Sequence, residues 1–102
     1  MDEYNNQMGN MINSMAQTTF NNIAYAYKHD VIPRELAMEC LSFMFGESKA
    51  KRYMERLDQY EKTPPPLTPD FNVEDVFQQC RDFKEKWDQF KDIIDMDQII
   101  QQ

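Results

Sequence analysis

Apolar positions recur at helical spacing in four segments of the chain, most regularly in the last segment. There the steps alternate between three and four residues, at Val73, Val76, Cys80, Phe83, Trp87, Phe90 and Ile94. This is the spacing of a coiled-coil seam, but large aromatic rings do not suit a tight two-stranded zipper. The pattern predicts an amphipathic C-terminal helix over 72–102 that packs across two neighbours in a bundle or lies in a groove.

The first segment predicts a helix over 4–28 with a weaker apolar stripe. The stripe has steps of three or four residues, at Met8, Ile12, Met15, Thr19, Ile23 and Ala26. The sequence Asp-Val-Ile-Pro at 30–33 interrupts the pattern, because the residue before a proline is pushed out of the helical region. We expect the next helix to begin at Pro33, since proline suits the first helical position.

The second segment predicts a short helix over 33–45 that ends at Gly46. It is apolar around most of its circumference, at Leu36, Ala37, Cys40, Leu41, Phe43, Met44 and Phe45. A helix of this kind is typical of the centre of a bundle or of a surface that meets a partner.

The third segment predicts a helix over 48–62 with Ser48 as its N-cap. Its apolar stripe is narrow and consists of Ala50, Tyr53, Met54, Leu57 and Tyr60. The opposite face is charged, which is typical of a helix side that faces water.

A proline-rich connector over 63–71 separates these three helices from the last one. Prolines fix φ and remove hydrogen-bond donors, so the connector is expected to be an extended spacer; a ligand for a proline-binding groove is the less favoured interpretation. Asn72 has the chemistry of an N-cap for the last helix, and Phe71 is placed to pack across its first turn onto Val76. The pattern thus predicts an all-α protein with three to four helices in a small bundle or in extended hairpins. Residues 1–62 form its helical domain.

Composition narrows the candidate chemistry of this chain of 102 residues. Its two glycines, Gly9 and Gly46, lie far apart, so no glycine-rich phosphate loop is present. The soft metal ligands are Cys40, Cys80 and His29, one fewer than a structural zinc site needs. We therefore expect no enzyme activity, no catalytic residue, no cofactor and no metal.

Both cysteines lie on apolar faces, which favours buried free thiols over a disulfide, although their pairing stays open. The N-terminus is acidic and amide-rich, unlike a secretory or transit leader, and no apolar run approaches the ~20 residues that span a bilayer. We expect an intracellular protein in a reducing compartment, such as the cytoplasm.

The number of large apolar side chains favours a role in protein–protein interaction. A core built from ~100 residues has little room for all the aromatic rings of the second and fourth helices. The expected docking residues are Phe43, Phe45, Phe77, Phe83, Trp87, Phe90 and Ile94. The favoured function is a small accessory subunit or adaptor of a larger protein assembly.

Two alternatives follow from charge. The net charge is −7, and residues 63–102 carry nine acidic and four basic side chains, which would suit an inhibitor in the basic groove of an enzyme. The order helix, turn, helix over 33–60 superficially resembles a helix-turn-helix, with candidate nucleic-acid contacts at Lys49, Lys51, Arg52 and Arg56. The net negative charge disfavours phosphate binding, so nucleic acid is an unlikely partner.

Overall fold

The helical apolar stripes of the sequence fold into four α-helices in the part of the chain that the structure describes. The structure is a computed structural model and describes residues 2–59, 66 and 68–90. The helices are α1 (Asp2–Lys28), α2 (Arg34–Phe45), α3 (Glu47–Gln59) and α4 (Val73–Phe90). No β-strand occurs within these described residues, and the all-α prediction is confirmed.

Contacts between side chains define the direction in which the helices run. Asn22 donates a hydrogen bond of 2.8 Å to Gln79, and the rings of Tyr25 and Phe71 lie 5.1 Å apart, so α1 and α4 are antiparallel. The helices α2 and α3 form an antiparallel hairpin, in which the ring of Phe45 lies 5.2 Å from that of Tyr53. α4 packs against both α1 and α2. The result is a small up-down-up-down helical bundle.

The core lies where the predicted stripes of the four helices meet. Its largest fully buried side chains are Phe83, Ile12, Ile23, Leu41, Met44, Met54 and Val76. Tyr53 is 7% exposed and forms edge-to-face pairs with Phe20 and Phe45, whose ring centroids lie 5.8 and 5.2 Å away. Edge-to-face pairs of this kind add to the stabilisation that apolar burial already provides.

Gly46 makes the turn between α2 and α3, and it corrects the prediction of Ser48 as an N-cap. The N–H of Gly46 bonds to the carbonyl of Ser42, while its own carbonyl accepts from Ala50 N–H at 3.0 Å. One residue thus ends α2 and begins α3, which places Ser48 inside the helix. Gly46 has φ +91° and ψ 159°, a conformation that is essentially restricted to glycine.

The other two helix starts follow from their capping residues. Asn72 Oδ1 accepts a hydrogen bond of 2.9 Å from Glu74 N–H, as expected of an N-cap. α2 begins at Arg34, one residue later than predicted. Pro33 has an extended backbone and is the N-cap of the helix instead of its first residue. Phe71 packs against the core immediately before α4.

Parts of the predicted elements lie outside the described residues. These are residues 60–62 of the third helix, 63–65 and 67 of the proline-rich connector, and 91–102 of the C-terminal helix. From the connector, the backbone carbonyl of Pro66 accepts a hydrogen bond of 2.6 Å from the hydroxyl of Tyr25. This contact ties the segment before α4 to α1.

Candidate interaction surface

The outward side of α2 carries Phe43, the most exposed aromatic ring among the side chains that the structure describes, at 48% exposed. The opposite side of the same helix lies in the core through Ala37, Cys40, Leu41 and Met44. α2 is therefore held firmly by one side while it presents an aromatic ring to solvent on the other.

The immediate surroundings of Phe43 are acidic. Glu39 lies four residues earlier on the same helix and is exposed, so the two side chains are neighbours. Glu47 is exposed just after the Gly46 turn. Leu36, two helical turns before Phe43, is half-buried. We use the name Phe43 face for this outward surface of Glu39 and Phe43, at whose edge Leu36 packs against the core.

The remaining candidate docking residues have different surroundings. Phe83 is 0% exposed, which places it in the core of this fold and not on its surface. Phe45 is half-buried because its ring packs on Tyr53 and on Phe83, with centroids 5.2 and 5.5 Å apart. Three aromatic residues of α4 are half-buried against the core, namely Phe77, Trp87 and Phe90. Ile94 lies outside the described residues.

The candidate nucleic-acid residues lie on the outward side of α3. Lys51, Arg52 and Arg56 are exposed, and Lys49 is half-buried. Glu55 is exposed between them and contributes negative charge to the same surface. The mixture of charges makes this surface a poor match for a phosphate backbone.

A polar cluster ties together α1, α2 and α3 at one end of the bundle. Arg34 donates to Asp58 Oδ2 from Nη2 at 2.9 Å and from Nε at 3.1 Å, and Tyr27 donates to Asp58 Oδ1 at 2.6 Å. The Arg34 bonds, followed by that of Tyr27, lower the pKa of Asp58, while bonding to Asp58 raises the pKa of Tyr27. The cluster has a structural role, and the separation of its members along the chain hid it from sequence reasoning.

Sequence reasoning also assigned no role to Val31, which joins Phe43 as an exposed large hydrophobic residue among the described side chains. It lies in the turn between α1 and α2, just after Asp30, whose φ is +59°. The N–H of Val31 bonds to the carbonyl of Ala26 at 2.9 Å, which holds the turn against the end of α1. Its exposure depends on this turn geometry, which periodicity does not encode.

The described residues bring together no cluster of three or more His, Cys, Asp or Glu side chains that would hold a metal ion. Over the same part of the chain, none of the helices combines the length and the apolar character needed to cross a bilayer. Neither finding concerns the residues that the structure does not describe.

Comparison with known proteins gave no match to a family model, a curated protein or a solved structure.

Proposed function

We propose that this protein is a non-enzymatic helical interaction protein, an accessory subunit or adaptor, that docks on a protein partner through the Phe43 face. The observation that carries the proposal is the 48% exposure of Phe43 on a helix whose other side is fixed in the core. An aromatic side chain has few rotatable bonds and loses little conformational entropy on binding, which helps to explain why aromatic residues anchor many interfaces.

The surroundings of Phe43 indicate the chemistry of the partner. The ring needs an apolar pocket, and Glu39, one helical turn away on the same helix, favours a basic side chain at the rim of that pocket. The net charge of −7 would favour approach to such a surface. We therefore expect a partner with an apolar pocket and a basic rim.

Affinity capture from the cells that make the protein tests this proposal. Phe43→Ser should weaken retention of the partner by about thirtyfold, which corresponds to ~2 kcal/mol, a typical loss for an anchor residue. Val31→Ser is the matched control, because it also removes an exposed apolar side chain from the described surface. Both variants should melt within a few degrees of the native protein, since neither side chain belongs to the core.

Two outcomes would contradict the proposal. One is a partner that Phe43→Ser retains as well as the native protein does. The other is an affinity that falls steeply with salt but is unchanged by Phe43→Ser, because this would indicate the acidic inhibitor of a basic groove instead of apolar docking.

A further inference from the structure

The core contains two thiols whose pairing the sequence left open. Cys40 on α2 is 8% exposed and Cys80 on α4 is 4% exposed, and both are free. The two helices pack against each other, and the ring of Phe45 meets that of Phe83 at 5.5 Å about one turn further along both. This contact sets a register in which both cysteines lie about one turn earlier on facing helices, in the same buried core.

The two thiols interact with each other across this helix interface. Interaction with Cys80 lowers the pKa of Cys40, although burial alone would raise it. Interaction with Cys40, followed by burial, raises the pKa of Cys80. Cys40 is therefore the member of the pair that forms a thiolate more readily, and the thiolate is the form that reacts with an oxidant.

We propose that Cys40 and Cys80 are a redox-active pair that hydrogen peroxide converts into a disulfide between α2 and α4. The Cys40 thiolate attacks one peroxide oxygen, the O–O bond breaks, and one water leaves after protonation, which gives a sulfenic acid at Cys40. The Cys80 sulfur then attacks the Cys40 sulfur, the S–O bond breaks, and the Cys80 proton leaves with the hydroxyl as a second water. Two thiols lose two electrons, and one peroxide is reduced to two waters.

Because both thiols lie inside the bundle, the disulfide is expected to form within one folded monomer and not between monomers. Cys40 retains a small exposed fraction through which a small oxidant has access during local opening of the bundle. Cys80 lies on the facing helix in the same buried core, so it is placed to resolve the sulfenic acid before a second oxidant molecule arrives. The bridge closes a large loop of chain, which reduces the freedom of the unfolded state.

The test uses the purified full-length protein, reduced and then treated with hydrogen peroxide without denaturant. We expect both thiols to be lost together, the monomer mass to fall by two hydrogens, and proteolysis to give a peptide linked between Cys40 and Cys80. Dithiothreitol should restore both thiols, and the oxidised protein should melt at a higher temperature than the reduced protein.

A variant identifies the attacking thiol. Cys80→Ala should stop at a sulfenic acid on Cys40 that dimedone traps, and circular dichroism checks that the variant is folded. The proposal is overturned if native protein loses thiols without the linked peptide. It is equally overturned if the linked peptide forms only in denaturant, or if disulfides form only between monomers.

Discussion

At the scale of single residues, position on the helix decides whether an aromatic ring belongs to the core or to the surface. Phe43 and Phe45 are two positions apart on α2, so they point to different sides of the helix. Phe45 packs on Tyr53 and Phe83, whereas Phe43 is 48% exposed. Both residues were predicted to contact a partner, because the number of aromatic residues does not show which side of the helix each one occupies.

The burial of Phe83 predicts the cost of removing its ring. Phe83→Ala should lower the free energy of unfolding by about 3–5 kcal/mol, because it removes a fully buried aromatic side chain and leaves a cavity. Phe43→Ala should change it by less than about 0.5 kcal/mol. Urea denaturation measures both. A loss below ~1 kcal/mol for Phe83→Ala would contradict the position of this ring in the core.

The cluster at Asp58 predicts a pH dependence. Its hydrogen bonds from Arg34 and Tyr27 lower the pKa of Asp58, so the stabilisation is present above the ordinary carboxyl pKa of about 4. It disappears as the pH falls through the lower folded value. Asp58→Asn should therefore melt a few degrees below the native protein at pH 7, and the difference should vanish in strong acid. A difference that persists in acid would show that the carboxylate charge is not its cause.

At the scale of helices, the sequence predicts a helix cap correctly where the capping residue belongs to a single helix. Asn72 caps α4 as the sequence indicated, because its side chain bonds within the next two residues. The prediction of Ser48 as an N-cap was wrong because Gly46 ends α2 and also begins α3, so that no separate capping residue lies between the two helices. Sequence patterns treat helix ends independently and cannot detect such a shared residue.

The two glycines predict opposite effects of substitution by alanine. Gly46→Ala should destabilise the protein by about 1–3 kcal/mol, because its φ of +91° strains any residue with a Cβ. Gly9→Ala should stabilise it by about 0.5–1 kcal/mol, because Gly9 lies within α1 and nothing lies within 4 Å of an added Cβ. Thermal melts of both variants measure the two signs. If both substitutions changed the stability in the same direction, the position of Gly9 within α1 or of Gly46 between α2 and α3 would be contradicted.

At the scale of the whole molecule, the sequence predicted the fold class but not the contacts that join the helices. Periodic stripes predict helices and their inward sides, because those depend on neighbours along the chain. The Arg34–Asp58 pair and the Cys40–Cys80 pair depend on how distant segments pack, which spacing does not encode. For the same reason, spacing along the chain does not predict that Phe83 is buried in the core while Phe43 is exposed on the surface.

We propose that the Phe43 face of the folded protein contacts a partner protein. The most direct measurement replaces Phe43 by the photoreactive amino acid p-benzoylphenylalanine in the cells that make the protein, followed by irradiation and separation of the adducts by mass. The same replacement at Glu55, which is exposed on α3, is the control. We predict one discrete adduct with another protein from position 43 and none from position 55. No adduct from position 43, or the same adducts from both positions, would contradict the claim.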